Sequence, residues 1–120
     1  MIRATALAVS ISVAAAPGAA AQVAWGAPPA CLPRELRAAV VAAGNIAPVR
    51  VTSTVRLPGR NARAGGAKRS FHLTCRAVDF RPARKTREIA ALMARSAGVG
   101  GVKIKRGIIH IDNGPRRAWK

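Results

Sequence analysis

The two histidines of this chain, His72 and His110, each stand close to a carboxylate. His72 precedes Asp79 by seven residues, and His110 precedes Asp112 by two. The sequence holds only four acidic residues, so half of them accompany the two histidines. Two imidazoles and one carboxylate are a common ligand set of catalytic zinc, because three protein ligands leave a fourth position for water or substrate. The sequence therefore suggests one metal centre built from two distant segments, and two ordinary surface or core histidines are the alternative.

The segment around His110 has the alternation of a half-buried strand. Residues two apart on a strand share a face. Ile109 and Ile111 are therefore expected to point into a core, while His110 and Asp112 point to the opposite face. A pair of polar side chains on one sheet face is what a binding cleft requires.

The segment around His72 needs a bend. The separation of seven residues is odd, so a single continuous strand would place His72 and Asp79 on opposite faces. We therefore expect the chain to turn between them, near Thr74 and Cys75.

Hydrophobic periodicity predicts the elements that position these residues. Gly44 and Pro82 are read as stops of a helix and a strand, and the basic stretch 59–70 is predicted to be a surface loop. The result is an α+β domain with a small, mainly antiparallel sheet and two helices packed on it. The predicted helices are 33–43 and 85–96, and the predicted strands are 49–55, 76–80, 102–104 and 108–112.

The N-terminus has the features of an export signal. Residues 1–21 combine a positive start, an uncharged apolar stretch and an A-x-A cleavage site at Ala19–Ala21. The alternative is a buried or membrane helix, but the apolar run is shorter than the roughly 20 residues a bilayer requires. We expect a signal peptide over 1–21, a flexible lead-in over 22–30 and one domain over 31–120, with no membrane span after cleavage and a periplasmic or secreted location.

The chain is strongly basic, with a formal net charge of +17. Removing the leader leaves 20 lysines and arginines against 4 acidic residues, a net charge of +16. Nucleic acid, anionic lipid or lipopolysaccharide, and carboxylate-bearing cell-wall polymer are the candidate partners. Export and the scattered aromatic residues argue against nucleic acid. A solvated basic surface without a specific ligand is an open alternative.

Two cysteines, Cys31 and Cys75, are the only ones present. In an oxidising compartment they can form a disulfide, and closing a loop of this length contributes about 3 to 4 kcal/mol in the chain-entropy model. Two separate thiols are the alternative, because proximity does not follow from spacing.

The residues around both histidines resemble a known family. The first segment is similar to the S-x-H-x-x-G-x-A-x-D signature of zinc D-Ala-D-Ala carboxypeptidases and murein endopeptidases, whose fold also includes lysostaphin-type enzymes and the hedgehog signalling domain. The resemblance extends over residues 49–119. Its last two matching residues, Arg117 and Trp119, are expected to be structural. The matching residues are Arg56, Asn61, Gly65, Gly66, Ala67, Ser70, His72, Ala77, Asp79, Gly100, Gly101, His110, Asp112, Gly114, Arg117 and Trp119.

This resemblance implies that His72, Asp79 and His110 bind zinc and that Arg56 orients or polarises the substrate. The implied activity is hydrolysis of a peptide bond in a peptidoglycan stem or cross-link, with water activated by zinc as the nucleophile. The enzyme would be a metallopeptidase that acts as a monomer on peptidoglycan, as a carboxypeptidase or an endopeptidase.

Two positions depart from the family pattern. The glycine of the signature is Cys75, which implies either an ordinary backbone conformation or one held by a disulfide to Cys31. Many relatives carry a catalytic acid three residues before the last ligand, where this chain has Gly107. Asp112 is the nearest candidate base, but the interpretation we favour is that it orients His110 through a hydrogen bond. A zinc-stabilised wall-binding module without peptidase activity is therefore the alternative function.

Overall fold

A computed structural model describes residues 21–67 and 69–117, and their central feature is a five-stranded sheet. The strand order is β1-β2-β3-β5-β4, with β1 parallel to β2 and every other neighbour antiparallel. Two predictions fall outside the described residues: the signal peptide over residues 1–21, of which only Ala21 is described, and the structural role of Trp119. The strands are β1 (Val23–Trp25), β2 (Val49–Ser53), β3 (Ala77–Pro82), β4 (Gly101–Lys105) and β5 (Ile108–Asp112).

Two longer helices cover one face of the sheet, as the sequence predicted. They are α1 (Arg34–Ile46) and α3 (Thr86–Ala94), and a shorter helix, α2 (Pro58–Arg63), follows β2. A 3₁₀ turn (Phe71–Thr74) precedes β3. Within the described ranges, no helix has both the length and the apolar character needed to cross a bilayer.

Residues 22–30 differ from the flexible lead-in that the sequence suggested, because Val23–Trp25 form the edge strand β1. Gln22 ties the start of this strand to both neighbours, because its N–H donates to Gly44 O in α1 at 3.0 Å and its carbonyl accepts from Val49 N in β2 at 2.9 Å. Val23 and Trp25 pack against the hydrophobic core. Three residues are too few to show a period in the sequence.

Gly44 also differs from its predicted role, since α1 continues past it to Ile46. A Cβ at this position would lie 2.7 Å from Val23 Cγ2 and 3.1 Å from Gln22 N. The glycine therefore permits the close approach of α1 to β1 rather than ending the helix. The helix ends before Pro48, whose ring disfavours the helical conformation of the residue that precedes it.

The basic stretch predicted as a loop contains α2, which begins at Pro58 in the first helical position. Asn61 is its only buried residue. Because no apolar stripe marks this helix, hydrophobic periodicity gave no sign of it.

The sheet separates an apolar face from a polar one. On the helix-covered face, side chains of the central strands and of α1 and α3 are fully buried, and Ile109 and Ile111 are among them, as predicted. The opposite face carries Asp79 and His110, which are direct partners in the register of β3 and β5. The polar face is therefore the one on which the predicted site lies. The fully buried core includes Leu36, Val40, Val51, Val78, Phe80, Ile89, Met93, Ile109 and Ile111.

Candidate metal centre

The turn before β3 brings His72 to the polar face of the sheet. Ser70 caps the 3₁₀ turn, since its Oγ accepts the backbone N–H of His72 at 3.1 Å. The turn ends at Cys75, which has a left-handed backbone conformation with φ of 57°. The bend predicted near Thr74 and Cys75 is thus present, and it resolves the odd spacing between His72 and Asp79.

A disulfide joins Cys75 to Cys31, with their Cα atoms 6.0 Å apart. Left-handed φ costs a residue with a Cβ free energy that glycine does not lose. Of the two conformations that the sequence left open for Cys75, the structure has the strained one held by a disulfide. The disulfide can therefore hold Cys75 in a left-handed conformation that a glycine would adopt at little cost.

Three potential ligand atoms converge on the polar face. His72 Nε2 lies 3.1 Å from Asp79 Oδ1, and His110 Nδ1 lies 2.9 Å from the same oxygen. All three ligand atoms lie within 4.8 Å of one another. The side chain of His72 is 3% exposed, whereas those of Asp79 and His110 are 15% and 22% exposed. The group is therefore fixed on its His72 side and open to solvent on the other.

Hydrogen bonds on the far side of each imidazole fix which nitrogen faces the centre. His72 Nδ1 lies 2.5 Å from the carbonyl oxygen of Thr54, which only accepts, so Nδ1 carries the hydrogen. His110 Nε2 donates in the same way to Asp112 Oδ2 at 2.7 Å. In their neutral forms both rings then turn a lone pair towards Asp79 Oδ1, which is itself an acceptor. Three acceptors that face one another are stabilised by a bound cation or by a proton on an imidazole, and the set of two nitrogens and one oxygen is one that Zn²⁺ binds.

Asp112 is fully buried and its carboxylate is saturated with donors. Oδ1 accepts from Gly114 N at 3.0 Å and Arg117 Nη1 at 3.1 Å, and Oδ2 accepts from His110 Nε2 and from Arg117 Nη2 at 2.6 Å. The carboxylate lies behind His110, on the side away from Asp79. This geometry favours the orienting role over the role of general base.

Arg56 contacts the other oxygen of the central carboxylate, since its Nη2 donates to Asp79 Oδ2 at 2.8 Å. Its Nε donates to Ser53 Oγ at 2.9 Å and its Nη1 to Asn61 Oδ1 at 3.2 Å. A bulge between Val51 and Ser53 sets Ser53 opposite Asp79. Bulges re-aim side chains in this way next to functional sites. Three of the five guanidinium N–H groups are used in these bonds.

Asn61 is the support that holds Arg56 in place. It is 3% exposed, and its Nδ2 donates to Ala67 O at 2.8 Å while its Oδ1 accepts from Arg56. A Cβ on Gly66 would lie 2.1 Å from that Oδ1. Asn61, Gly66 and Ala67, which belong to the upstream part of the family resemblance, thus form a scaffold that holds Arg56 in position.

The charges of the centre shift its pKa values. Burial raises the pKa of Asp79, but hydrogen bonds and charges of His110 and His72 outweigh it and hold the pKa far below its usual value. Burial lowers the pKa of His110, whereas Asp112 and Asp79 raise it, and the net pKa is above 6.5. Burial likewise raises the pKa of Asp112, but His110, Arg117 and the Gly114 N–H lower it to about 2. Both carboxylates are therefore ionised at neutral pH.

The remaining two acidic residues lie far from this centre. Glu35 is on α1 and Glu88 is on α3, both exposed and on the helices that cover the other face of the sheet. Gly107, the position where the family resemblance implies a catalytic acid, lies in the β4–β5 turn with φ of 78°. Apart from the proposed ligand Asp79 and the hydrogen-bonded Asp112, no acidic residue of the sequence lies beside the ligands where it could act as a general base.

The structure brings together every predicted ligand and Arg56, and it joins the predicted cysteine pair. Sequence reasoning missed Thr54 and Ser53. Thr54 binds His72 through its backbone carbonyl oxygen, which any residue type could supply. Ser53 accepts a hydrogen bond from Arg56, and the bulge that sets it opposite Asp79 cannot be read from the sequence.

Comparison with known proteins gives one match. A family model described as Peptidase M15 matches residues 15–112. No curated protein and no solved structure matches the chain significantly.

Proposed function

Because the chain belongs to the Peptidase M15 family, we propose that it is a zinc-dependent peptidase that hydrolyses peptide bonds in peptidoglycan stems or cross-links. The observation that carries this proposal is the convergence of two imidazole lone pairs and one carboxylate oxygen within 4.8 Å. With three protein ligands, a tetrahedral metal retains one position for chemistry.

His72 Nε2, Asp79 Oδ1 and His110 Nδ1 are the atoms that would hold the metal. Bound zinc supplies a Lewis acid that polarises a carbonyl and lowers the pKa of water to about 7. His72 and Asp79 leave the metal little freedom of position, because both are fixed by hydrogen bonds on their far sides. The preference for zinc over harder cations rests on the two nitrogen ligands.

Arg56 is the residue we assign to the substrate. It neutralises the outer oxygen of Asp79 and has N–H groups beyond those in its bonds to Ser53, Asn61 and Asp79, with which it can donate to a carbonyl oxygen that gains negative charge. Its side chain is 12% exposed, so it is both held and reachable.

Peptidoglycan is the substrate we propose, and the partly exposed side chains of Asp79 and His110 leave the centre reachable from solvent. The basic charge of +17 favours a polymer with carboxylates. The disulfide suits an oxidising compartment, so we place the activity in the periplasm or outside the cell.

Metal analysis combined with digestion of defined muropeptides tests this proposal. Protein with about one zinc per chain should release products whose masses identify the cleaved bond, and chelator should abolish their release. His72→Ala should lose both zinc and activity, whereas Glu88→Gln on α3 should keep both. Zinc bound without any product would overturn the peptidase function.

A second function, a zinc-stabilised wall-binding module without catalysis, is favoured by one observation. The four acidic residues are Glu35, Asp79, Glu88 and Asp112, and beyond the proposed ligand and the saturated Asp112 none lies at the centre. General bases of metallopeptidases are often carboxylates. This function predicts zinc-dependent binding to purified peptidoglycan with no change in its muropeptide profile.

A further inference from the structure

We propose that Arg50 and Arg81 form an anion-binding subsite beside the metal centre, which binds a carboxylate of the peptide substrate. The inference rests on the proposed peptidase function and adds to it a preference for acidic peptides. It concerns residues that belong neither to the ligand set nor to the family motifs.

The two arginines lie on the same face of the sheet as the metal centre, and Arg81 also shares strand β3 with Asp79. Arg50 on β2 is the direct register partner of Arg81 on β3, so both side chains leave the sheet on the same side. Arg81 follows Asp79 by two residues, which places it about 7 Å further along the same face. A peptide that binds at the metal and runs along β3 towards Pro82 would therefore pass Arg81 and its register partner Arg50.

Among the described residues, no carboxylate compensates this pairing of like charges. Like charges directly opposite each other on antiparallel strands are destabilising. Across residues 21–67 and 69–117, the arginine–carboxylate ion pairs are Arg56 with Asp79 and Arg117 with Asp112. Neither Arg50 nor Arg81 contacts a carboxylate there, and a bound anion would offset their repulsion.

A cavity of about 310 Å³ lies at the pair and is lined by Gly26, Arg50, Val51, Thr52 and Arg81. A Cβ on Gly107 would lie 2.7 Å from Arg81 Nη1, so Arg81 extends towards the β4–β5 turn. A Cβ on Gly26 would lie 3.9 Å from Arg50 Nε, so Arg50 extends towards the end of β1. Both arginines line the cavity, so a small anion bound in it would be attracted by both positive charges.

A carboxylate is the anion we assign, since planar guanidinium groups bind it through paired charge-assisted hydrogen bonds. It can be the C-terminal carboxylate of the residue after the scissile bond or a side-chain carboxylate one residue away. Both sources present the same chemistry to the subsite, and substrates amidated at one or the other position distinguish them.

The test compares Arg50→Gln/Arg81→Gln with Arg37→Gln, a control that removes charge from the exposed face of α1. The zinc-loaded proteins are assayed on stem peptides whose terminal or side-chain carboxylate is free or amidated. We expect the double variant to lower kcat/KM for the free acid about 10- to 100-fold, mainly through KM, because hydrogen bonds to charged groups are strong. Amidating the bound carboxylate should lower the wild-type value equally and leave the double variant unchanged.

The inference is overturned if the double variant behaves like Arg37→Gln, or if amidation costs it as much as it costs wild type. Failure of the peptidase function looks different, since wild type would then cleave none of the peptides. In that case, calorimetric binding of the same peptides to the zinc-loaded proteins replaces kcat/KM. Weaker binding by the double variant would support the subsite, and equal binding would reject it.

Discussion

Asp112 accepts the Nε2 hydrogen of His110 at 2.7 Å, and this bond determines that Nδ1 of His110 faces the metal centre. The carboxylate is itself held by both Nη atoms of Arg117. A chain of contacts therefore runs from the residues after β5 to the ring of a ligand. The C-terminal part of the family motif orients His110, although it makes no contact with Asp79.

Asp112→Asn should weaken zinc binding about 10- to 100-fold, the usual effect of losing the partner of a ligating histidine. The amide is a poorer acceptor for the Nε2 hydrogen and is repelled by the donors of Arg117. Competition with a chromophoric chelator at pH 7.5 measures the affinity. Glu88→Gln, which removes an equal charge from α3, is the matched control and should retain wild-type affinity. An unchanged affinity in Asp112→Asn would contradict the orienting role.

The metal-free protein should become less stable as the pH rises from 6 to 9. The pKa of His110 in the folded state lies above its usual value of 6.5, because of its hydrogen bonds and charge interactions with Asp112 and Asp79. The contribution of the protonated ring to the free energy of unfolding is therefore complete below pH 6.5 and is lost as the pH passes the folded-state pKa. Asp79 and Asp112 are ionised throughout this range and contribute no slope.

Urea unfolding of chelator-treated protein at pH 6 and pH 9 measures this loss, and His110→Gln should remove it. Zinc affinity should change in the opposite direction, because a proton on His110 competes with the metal. A metal-free protein whose stability rises from pH 6 to pH 9 would show that His110 titrates below its usual value.

Local patterns in the sequence were enough to predict much of the site. The alternation in β5 correctly placed Ile109 and Ile111 in the core and His110 on the other face, because strand periodicity is a local property. The odd spacing between His72 and Asp79 correctly required a bend.

Features that depend on distant contacts escaped prediction. Strand β1 is three residues long and is defined by its pairing with β2 and its approach to Gly44. The bulge before Ser53 and the opposition of Arg50 and Arg81 depend on the register between β2 and β3, whose partners there are 26 and 31 residues apart, and no residue type indicates that register. These are also the features that place side chains around the centre.

Removing the disulfide with Cys31→Ser/Cys75→Ser should lower the free energy of unfolding by about 4 kcal/mol, the chain-entropy value for a loop of 44 residues. Serine at position 75 retains the cost of left-handed φ. Cys31→Ser/Cys75→Gly should therefore recover about 1 kcal/mol. Urea unfolding compares the three proteins. If glycine and serine at position 75 give equal stability, the conformation of Cys75 carries no strain.

Arg56→Lys should lower kcat about 100-fold while the zinc content stays the same. A lysine keeps the charge but can reach only one of Ser53, Asn61 and Asp79, so the fork that aims the N–H groups is lost. Arg60→Lys, an exposed substitution on α2, is the control. Muropeptide hydrolysis under saturating substrate measures kcat, and metal analysis measures zinc. A value within twofold of wild type would remove Arg56 from the proposed catalytic role.

Gly66 and Gly59 lie at opposite ends of the segment that supports Arg56, and alanine should affect them in opposite directions. A Cβ on Gly66 would lie 2.1 Å from Asn61 Oδ1 and 2.7 Å from its Cγ, whereas the nearest atom to a Cβ on Gly59 is Arg63 Nη1 at 3.6 Å. Gly66→Ala should therefore destabilise the protein by about 1 to 3 kcal/mol. Gly59→Ala, within α2, should stabilise it by about 0.5 to 1 kcal/mol.

Gly66→Ala should also lower kcat, because Asn61 cannot move without giving up its bonds to Arg56 and to Ala67 O. Zinc content should stay at the wild-type level, since no ligand contacts position 66. Urea unfolding, metal analysis and muropeptide hydrolysis on the same preparations separate these effects. A Gly66→Ala protein with wild-type kcat would show that Arg56 keeps its position without Asn61, and the upstream scaffold would then serve stability alone.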